Sequence, residues 1–401
     1  MTGTDDLPAL GDLRVVEMGQ LLAGPFCGQL LGDFGAEIVK IEPPGAGDPM
    51  REWGREKPHG KSLWWPILAR NKKSATLNLR TPEGQELARR IIARADVLVE
   101  NFRPGTLERW GLSPATLHAE NPRLIITRVT GYGQDGPYSP RAGFGSVGEA
   151  MGGIRYVTGD PDKPPSRAGI SLGDELAGTF AALGTLVALH ARHRTGRGQV
   201  VDSALYEAVL AMMESLIPEW DIAGYQRERT GSVLPNVAPS NVYPTQDGPI
   251  LIAANRDTIW RRLAELMGRP ELGDDERYSS HGARGAHAAE LDDLIGAWTA
   301  GQESGPLLEL LHENGIPAGL TYRAKDMLAD PHYRAREAII RLAHPEFGEF
   351  PMHNVFPKLS GTPGEVRSLG PELGEHNHEV YGTLLGLAAE EITRLTAAGT
   401  I

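Results

Sequence analysis

The sequence contains a single cysteine, Cys27, in 401 residues. An intrachain disulfide needs two cysteines, so none forms, and the chain need not belong to an oxidising compartment. Cys27 stands in the apolar stretch LLAGPFCGQLLG. A lone thiol in such a stretch is more often a packing residue than a nucleophile, and we interpret it in that way.

Basic side chains are also in the minority. Lysine and arginine number 40 against 52 aspartates and glutamates, which gives a formal net charge of −12. This balance argues against attraction to nucleic acid or to an anionic membrane, but it leaves room for an anionic small ligand, which responds to local charge. We find no apolar run approaching the roughly 18 residues of a membrane span and no signal-peptide pattern at the N-terminus. The chain is therefore predicted to be cytoplasmic.

Familiar cofactor motifs are absent too. The sequence has no P-loop, no His-Glu-x-x-His and no cysteine and histidine spacing typical of a metal site. The segment Gly19–Gly24 follows a strand, as a dinucleotide-binding loop does, but it lacks the glycine triplet. We predict no metal site and no tightly bound cofactor.

Hydrophobic periodicity in the first 130 residues alternates between strands and helices. A buried strand at Leu13–Met18, a helix at Phe26–Phe34 and a strand at Glu37–Ile41 form one β-α-β unit. Further strands are predicted at 74–79, 95–100 and 123–129, with a helix at 85–94 before the second of these and a helix near 114–120 before the third. This alternation predicts an α/β fold with a doubly wound parallel sheet.

The rest of the chain divides into two predicted parts. A long helix over Glu175–Arg194 and a second helix over Ser203–Glu219 close a large domain, predicted as residues 10–224. Weak periodicity and several turn residues between Gly224 and Pro244 mark a boundary. Strand and helix patterns beyond it predict a smaller α+β domain over residues 225–330.

Three segments contain residues suited to chemistry, and each also has a structural interpretation. Asp174 precedes the long helix, where a helix N-cap is the first interpretation and a carboxylate held by backbone amides as a nucleophile is the second. The segment Asn101–Gly105 follows a strand, at the edge where doubly wound sheets bind ligands, or is simply a turn. The segment Arg70–Lys73 either is a solvated basic loop or meets phosphates.

Motifs in a common order connect these segments from Leu22 to Asn377. In chain order they are Leu22–Pro25, Gly35–Pro43, Gly47–Asp48, Asn71–Ser74, Leu77–Leu79, Glu100–Gly105, Gly173–Asp174, Ala181–Gly184, Arg194–Gln199, Gly315–Gly319, Asp330–His332 and Leu373–Asn377. Together they resemble the class III CoA-transferase family (CaiB/BaiF type), whose members include formyl-CoA transferase and carnitine CoA-transferase. The order of the motifs, rather than any one of them, reverses the preference for Asp174 as a cap.

The resemblance implies both a fold and a site. The family fold is a Rossmann-like large domain with a smaller domain, a C-terminal segment (here 331–401) that returns to the large domain, and two subunits threaded as an interlocked homodimer. Asp174 falls at the nucleophile position. The residues that fall where relatives line the CoA site are Leu22, Ala23, Lys72, Asn101, Phe102 and Arg109. Lys72 and Arg109 are expected to meet the CoA phosphates, with Arg70 and Lys73 as weaker candidates.

The implied reaction moves CoA from an acyl-CoA to a small carboxylic acid through an aspartyl anhydride and an aspartyl-CoA thioester. The segments Gly143–Gly153 and Arg229–Gly231 look most like relatives that act on succinyl-CoA and branched dicarboxylates such as citramalate. One alternative is an α-methylacyl-CoA racemase of the same family, although no Gly-His-Asp follows the strand that ends at Val129. The other is a non-catalytic acyl-CoA binding protein.

The chain also departs from the family pattern. Many relatives carry an acid after the aromatic residue that corresponds to Phe144, whereas this chain has Gly145, and Glu149 is a candidate substitute. The glycine-rich lid loop of formyl-CoA transferase is missing, and Gly231–Asn236 stands in that region. Four arginines are candidates for binding a second carboxylate or are surface ion pairs: Arg128, Arg141, Arg155 and Arg167.

Overall fold

The computed structural model describes residues 8–401. The first seven residues, on which the signal-peptide prediction partly rests, lie outside the described residues. The chain forms two compact units. One unit contains the residues up to Ile154, Ala168–Ser215 and Arg334–Ile401, and the other contains Arg155–Arg167 and Leu216–Tyr333. The boundary was predicted after residue 224, whereas the structure divides the chain earlier, after Ser215.

Strands and helices follow one another along the described residues. The strands are β1 (Arg14–Glu17), β2 (Glu37–Glu42), β3 (Lys72–Thr76), β4 (Val97–Glu100), β5 (Ile125–Thr130), β6 (Val200–Ala204), β7 (Ser240–Pro244), β8 (Pro249–Ala253), β9 (Ala318–Leu320), β10 (Ile339–His344) and β11 (Gly348–His353). The helices are α1 (Ala23–Asp33), α2 (Trp65–Leu68), α3 (Pro82–Ile92), α4 (Thr106–Arg109), α5 (Pro114–Glu120), α6 (Gly145–Met151), α7 (Ile154–Val157), α8 (Leu172–Thr195), α9 (Leu205–Leu210), α10 (Leu216–Ala223), α11 (Asp257–Leu266), α12 (His281–Ala286), α13 (Ala288–Thr299), α14 (Ser304–Glu313), α15 (Ala324–Ala329), α16 (Pro331–Ala335) and α17 (Ala389–Ala397).

A six-stranded parallel sheet forms the centre of the first unit. Its strand order is β3-β2-β1-β4-β5-β6, so the chain winds in one direction from β1 and in the other from β4. The central strands are buried because both sheet faces are covered, and Val15, Val16, Val97 and Leu98 have no exposed surface. The predicted α/β class with a parallel sheet is confirmed. The reversal between β1 and β4 opens a crevice at their carboxyl ends, where such sheets bind ligands.

The edge of this sheet differs from the prediction. The helix predicted over Ser203–Glu219 is divided in the structure. Its first two residues belong to β6, which was not predicted. The rest forms α9 and α10, which are separated by residues 211–215, where Glu214 has a φ of +52°. The strand was missed because β6 lies at the edge, with three of its five residues exposed or half-buried, so its sequence lacks the apolar run of a central strand. The strand predicted at 74–79 is observed as β3, which begins two residues earlier and ends three residues earlier, at Lys72–Thr76.

Helix α8 packs against the sheet and against α1. A side chain at Gly178 would place its Cβ atom 2.6 Å from the carbonyl oxygen of Ala23, so only glycine permits this approach. Among residues 8–401, α8 alone is long and apolar enough to cross a membrane by length and composition, although 44% of its most apolar window is buried. The expectation that no segment reaches this apolarity is wrong for α8, because its charged residues stand only at its ends.

The second unit has its own core. Strands β7, β8 and β9 form an antiparallel sheet, and α11, α13 and α14 lie among the helices of this unit. The core side chains include Ile250, Trp260, Leu263, Leu291 and Leu311, all buried.

The C-terminal segment covers the free edge of β3. The amide of Asn71 donates to the carbonyl of Ser368 at 3.1 Å, and the amide of His376 donates to the carbonyl of Ser74 at 2.9 Å. The amide of Thr76 donates to the side chain of Asn377 at 2.8 Å. These bonds satisfy an edge that would otherwise offer unpaired backbone groups to another chain.

A buried arginine adds a second link between the C-terminal segment and the sheet domain. Arg70 is 1% exposed and makes two bonds to the Asp33 carboxylate, at 2.9 and 2.6 Å. It also donates to the carbonyl of His353 at 2.8 Å. Burial raises the pKa of Asp33 although Arg70 acts in the opposite direction. The cation is therefore required to compensate a carboxylate in the interior.

We expect Arg70→Ala to lower the free energy of unfolding by about 3–5 kcal/mol, because it leaves Asp33 buried without its partner. Denaturant titration followed by circular dichroism measures the change. Arg89→Ala is the control, because Arg89 pairs with Glu86 and Glu120 at the surface, where solvent screens the charges and the loss of stability should be much smaller. Equal losses for the two variants would contradict this account of Arg70.

Candidate functional site

A cavity of about 310 Å³ opens at the carboxyl edge of the sheet, between the ends of β1, β4 and β5. The segments that follow these strands and the first turn of α8 line it. Its lining residues are Gln20, Leu21, Leu22, Ala23, Asn101, Phe102, Arg103, Val129, Thr130, Gly131, Ala142, Gly143, Phe144, Asp174 and Leu205. The cavity therefore lies at the topological switch point of the sheet.

Asp174 lies in the first turn of α8, is half-buried, and is one of the residues that line the cavity. The N-cap residue of this helix is Ser171, so the interpretation of Asp174 as the cap is wrong. The predicted helix start at Glu175 is also three residues late, because a glycine at position 173 weakens the helical pattern there. A carboxylate in the first turn is stabilised by the positive end of the helix dipole.

Gly145 packs directly against the Asp174 carboxylate. A Cβ atom built at Gly145 would lie 2.1 Å from Oδ2 of Asp174, and one built at Gly173 would lie 2.9 Å from the carbonyl oxygen of Gly145. The starts of α6 and α8 thus touch through two glycines. No side chain fits at position 145 while the Asp174 carboxylate stays where it is.

Glu149 lies one turn further along α6, and it is 1% exposed. Its Oε1 atom accepts a hydrogen bond of 3.3 Å from the amide of Gly173, one residue before Asp174. This amide belongs to the first turn of α8, whose N–H groups have no partner within the helix. Glu149 is not among the residues that line the cavity. Its carboxylate therefore holds the start of α8 through the amide of Gly173 without forming part of the cavity lining.

Asn101 also lines the cavity and connects two of the segments that form it. Its Oδ1 atom accepts from the amide of Gln20 and its Nδ2 atom donates to the carbonyl of Gln20, both at 2.8 Å. The amide of Phe102 donates to Glu100 at 2.7 Å, and the Phe102 ring packs edge-on against Trp110 at 5.1 Å. These contacts fix the segment after β4 against the segment after β1.

A larger cavity of about 900 Å³ adjoins the same segments. Gln20 and Phe102 line both cavities, and the larger one extends over the ends of β2 and β3. Its other lining residues are Met18, Ile41, Glu42, Pro43, Pro44, Gly45, Ala46, Gly47, Pro49, Leu77, Asn78, Leu79, Arg80, Thr106, Trp110 and Gly399. The two cavities together offer room for an extended ligand.

Lys72 lines neither cavity. Its Nζ atom lies 2.7 Å from Oε2 of Glu17 and donates to the carbonyl of Pro25 at 2.6 Å, with no exposed side-chain surface. Burial lowers the pKa of Lys72, against the opposing effect of Glu17. The structure therefore places Lys72 in the interior, where its ammonium meets a carboxylate of the protein rather than a ligand phosphate.

Arg109 is exposed on α4 and donates to the hydroxyl of Thr106 at 2.9 Å. Thr106 lines the larger cavity, so Arg109 lies beside it without lining it. The arginines that do line the cavities are Arg80 and Arg103, which the sequence reasoning did not select. Arg103 belongs to the segment Asn101–Gly105, which was selected because it follows a predicted strand. That position after a strand could have identified Arg103 as a site residue.

Two further basic candidates, Lys73 and Arg128, have acidic partners. Lys73 bridges Glu37 and Glu379, each at 2.6 Å. Arg128 is 4% exposed, and it pairs with Glu100 at 2.6 Å and Glu108 at 2.9 Å. The interpretation of Arg128 as available for a substrate carboxylate is therefore wrong, because its charge is already compensated.

Comparison with known proteins agrees with this geometry. The family model described as CoA-transferase family III matches residues 10–377. The chain is 60% identical over 393 residues to the succinyl-CoA–D-citramalate CoA-transferase of Chloroflexus aurantiacus, covering 98% of both chains. It is 42% identical over 405 residues to the beta subunit of the succinyl-CoA–L-malate CoA-transferase of the same species, covering 100% of both. The crystal structure of a CaiB/BaiF family protein from Brucella suis superposes with a TM-score of 0.84 at 35% identity, covering 94% of this chain and all of that one.

A parallel α/β domain with its open crevice at the switch point, matched over nearly the whole length by one enzyme family, defines the class. The chain belongs to CoA-transferase family III. Enzymes of this family use CoA thioesters as substrates, so the chain is an enzyme with an acyl-CoA substrate.

The sequence predicts Asp174 as the nucleophile, and the methyl group of Gly145→Ala would displace the Asp174 carboxylate. On that prediction, we expect Gly145→Ala to lower the turnover of CoA transfer by about 10²-fold or more. Steady-state kinetics with an acyl-CoA and a carboxylate acceptor measures the effect. Gly169→Ala is the control, because Gly169 is exposed in the segment before α8 and a Cβ atom there meets nothing within 4 Å. Unchanged turnover in Gly145→Ala would show that the carboxylate position does not matter.

Proposed function

We propose that this enzyme transfers CoA from succinyl-CoA to a small dicarboxylic acid of the citramalate type, with Asp174 as the nucleophile. The observation that carries the proposal is that Asp174 lines a cavity at the switch point, beside a larger cavity. The 60% identity to a succinyl-CoA–D-citramalate CoA-transferase over 98% of the chain supports the choice of donor and acceptor.

The proposed reaction has four acyl transfers. An oxygen of the Asp174 carboxylate attacks the thioester carbon of succinyl-CoA, which gives a succinyl-aspartyl anhydride and CoA thiolate. The thiolate attacks the aspartyl carbonyl carbon, which releases succinate and leaves an aspartyl-CoA thioester. The acceptor carboxylate attacks that thioester, which gives a second anhydride and thiolate. The thiolate then attacks the acyl carbon of the acceptor, which releases the new acyl-CoA and the free carboxylate of Asp174.

This sequence keeps the acyl group activated at each step, so it consumes no ATP. A carboxylate is a weak nucleophile, and the rate must come from holding it at the thioester carbon in a site that excludes water. The tight packing of Asp174 against Gly145 supports the first requirement. The positive end of α8 supports an anionic carboxylate at that place.

We place CoA across the two cavities. The nucleotide end occupies the larger cavity, and the pantetheine arm passes Gln20 and Phe102 toward Asp174. Leu22, Ala23 and Asn101 line the second part of this path. The phosphates are bound by Arg80 in the larger cavity, with Arg109 beside it, because arginine suits phosphate oxygens. Lys72 then supports the site from the interior rather than binding phosphate.

Asp174→Ala is expected to reduce CoA transfer by at least about 10³-fold, because it removes the group that forms both covalent intermediates. Mass spectrometry of products from succinyl-CoA and a panel of carboxylic acids measures the transfer. Glu175→Gln is the matched control, since Glu175 is the next residue of α8 and does not line either cavity.

Hydroxylamine provides the complementary test. It should convert Asp174 of the enzyme incubated with succinyl-CoA into a hydroxamate, which peptide mass spectrometry locates. A racemase or a non-catalytic acyl-CoA binding protein forms no such adduct. Full transfer activity in Asp174→Ala, or the absence of the hydroxamate in an active enzyme, refutes the nucleophile.

We also propose that the enzyme is an interlocked homodimer. Three apolar side chains on α8 are exposed, Leu183, Leu186 and Val187, at 53%, 41% and 60%. In the second unit, the exposed apolar side chains of α10 are Ile217, Trp220 and Ile222. A second copy of the chain would cover these two groups of side chains, because exposed apolar patches mark interaction surfaces.

Native mass spectrometry should therefore give twice the 43.3 kDa mass of one chain. Val187→Glu is expected to shift the enzyme toward monomers, because it buries a charge in an apolar interface. Ala93→Glu, at an exposed position after α3, should leave the dimer intact. A monomeric wild-type enzyme would refute this part of the proposal.

A further inference from the structure

The segment that joins β1 to α1 contains a strained residue. Leu21 has φ of +61°, in the left-handed region that glycine and asparagine adopt readily and leucine avoids. Such a conformation persists only where the surrounding structure holds it. Leu21 also lines the cavity that contains Asp174, so the strain lies inside the proposed site.

Three side chains hold three successive residues of this segment. Lys40 donates to the carbonyl of Gly19 at 2.9 Å. Asn101 pairs with both backbone groups of Gln20 at 2.8 Å. The amide of Leu21 donates to Oδ1 of Asp48 at 3.0 Å. Only the last of these bonds acts on the strained residue itself.

Asp48 is suited to hold Leu21 because it is fixed in turn. It is 1% exposed, and its carboxylate also accepts from the amide of Met50 at 2.9 Å and pairs with Lys40 at 2.8 Å. Its own amide donates to Glu42 at 2.9 Å. The carboxylate therefore has one orientation, which determines where the amide of Leu21 points.

The held conformation shapes both cavities. Gln20 lines both of them, and Leu21 and Leu22 line the smaller one together with Asp174. Rotation of Leu21 to an ordinary negative φ would redirect the backbone between Gln20 and Leu22. We propose that Asp48 is a positioning residue, which keeps Leu21 in its left-handed conformation and so maintains the path for the pantetheine arm of CoA. This inference rests on the proposed placement of CoA.

Removal of Asp48 should weaken CoA binding by about tenfold, because only part of the population keeps the binding conformation and the apparent dissociation constant rises in proportion. The effect should be larger on KM for the acyl-CoA than on kcat. Isothermal titration with CoA and steady-state kinetics of Asp48→Ala measure the two quantities.

The decisive comparison varies Leu21 in the absence of Asp48. Glycine adopts positive φ without steric cost. Alanine retains the steric cost of positive φ, and Leu21→Ala removes almost as much of the leucine side chain as Leu21→Gly does. We expect Asp48→Ala with Leu21→Gly to bind CoA within about threefold of Leu21→Gly alone, while Asp48→Ala with Leu21→Ala stays about tenfold weaker than Leu21→Ala alone. Equal weakening in both pairs, or no effect of Asp48→Ala, overturns the proposal.

Hydrogen exchange of the wild-type enzyme tests the hydrogen bond between Asp48 and Leu21 without CoA and without a variant that has to fold. The amide of Leu21 should exchange slowly in the ligand-free enzyme, because it donates to a buried carboxylate. Rapid exchange at Leu21 in a folded enzyme would overturn the proposal. A wild-type enzyme that fails to bind CoA but protects this amide would refute the proposed CoA site and would still support the role of Asp48 in holding Leu21.

Discussion

A network of buried charges beneath the carboxyl edge of the sheet fixes the geometry on which the site depends. Its members are the buried cations Lys40 and Lys72, the partly buried Arg51, and the buried carboxylates Glu17, Glu42 and Asp48. The opposite charges are equal in number, and each cation lies within 3 Å of a carboxylate oxygen. Burying such charges costs free energy that their attraction repays only when the geometry is good, so the network adds little net stability. What it adds is position, because Lys40 and Lys72 also hold the carbonyls of Gly19 and Pro25.

The other side of the site depends on the absence of side chains. Gly145 and Gly173 let α6 meet the first turn of α8, and Gly178 lets α8 meet α1. Asp174 is thereby mounted on a helix whose start is fixed from two directions. The proposed chemistry asks for a weak nucleophile held at one point, and a packed helix terminus provides this more rigidly than a loop does.

Much of this arrangement was predictable from the sequence, because buried strands have apolar sequences and the site residues follow them. The crevice brings together five predicted residues, which are Leu22, Ala23, Asn101, Phe102 and Asp174. The place of Lys72 was not predictable. Its partner Glu17 is 55 residues away, and the pair forms only because β2 lies between β1 and β3 in this register. A sequence shows a charge but not the distant residue that compensates it, and the same holds for Arg70 and Arg128.

The missing acid at position 145 has a geometric explanation in the same terms. The volume that its Cβ atom would need is occupied by the Asp174 carboxylate, so this position of the carboxylate and a side chain at 145 exclude each other. The negative charge on α6 stands instead at Glu149, where it is buried and bonded to the amide of Gly173. Glu149 does not line the cavity, and the proposed transfer assigns it no exchange of a proton with the acceptor acid. A reaction between carboxylates and thioesters needs no such exchange, because each nucleophile is already an anion, and an acid beside Asp174 is therefore not required for the proposed transfer.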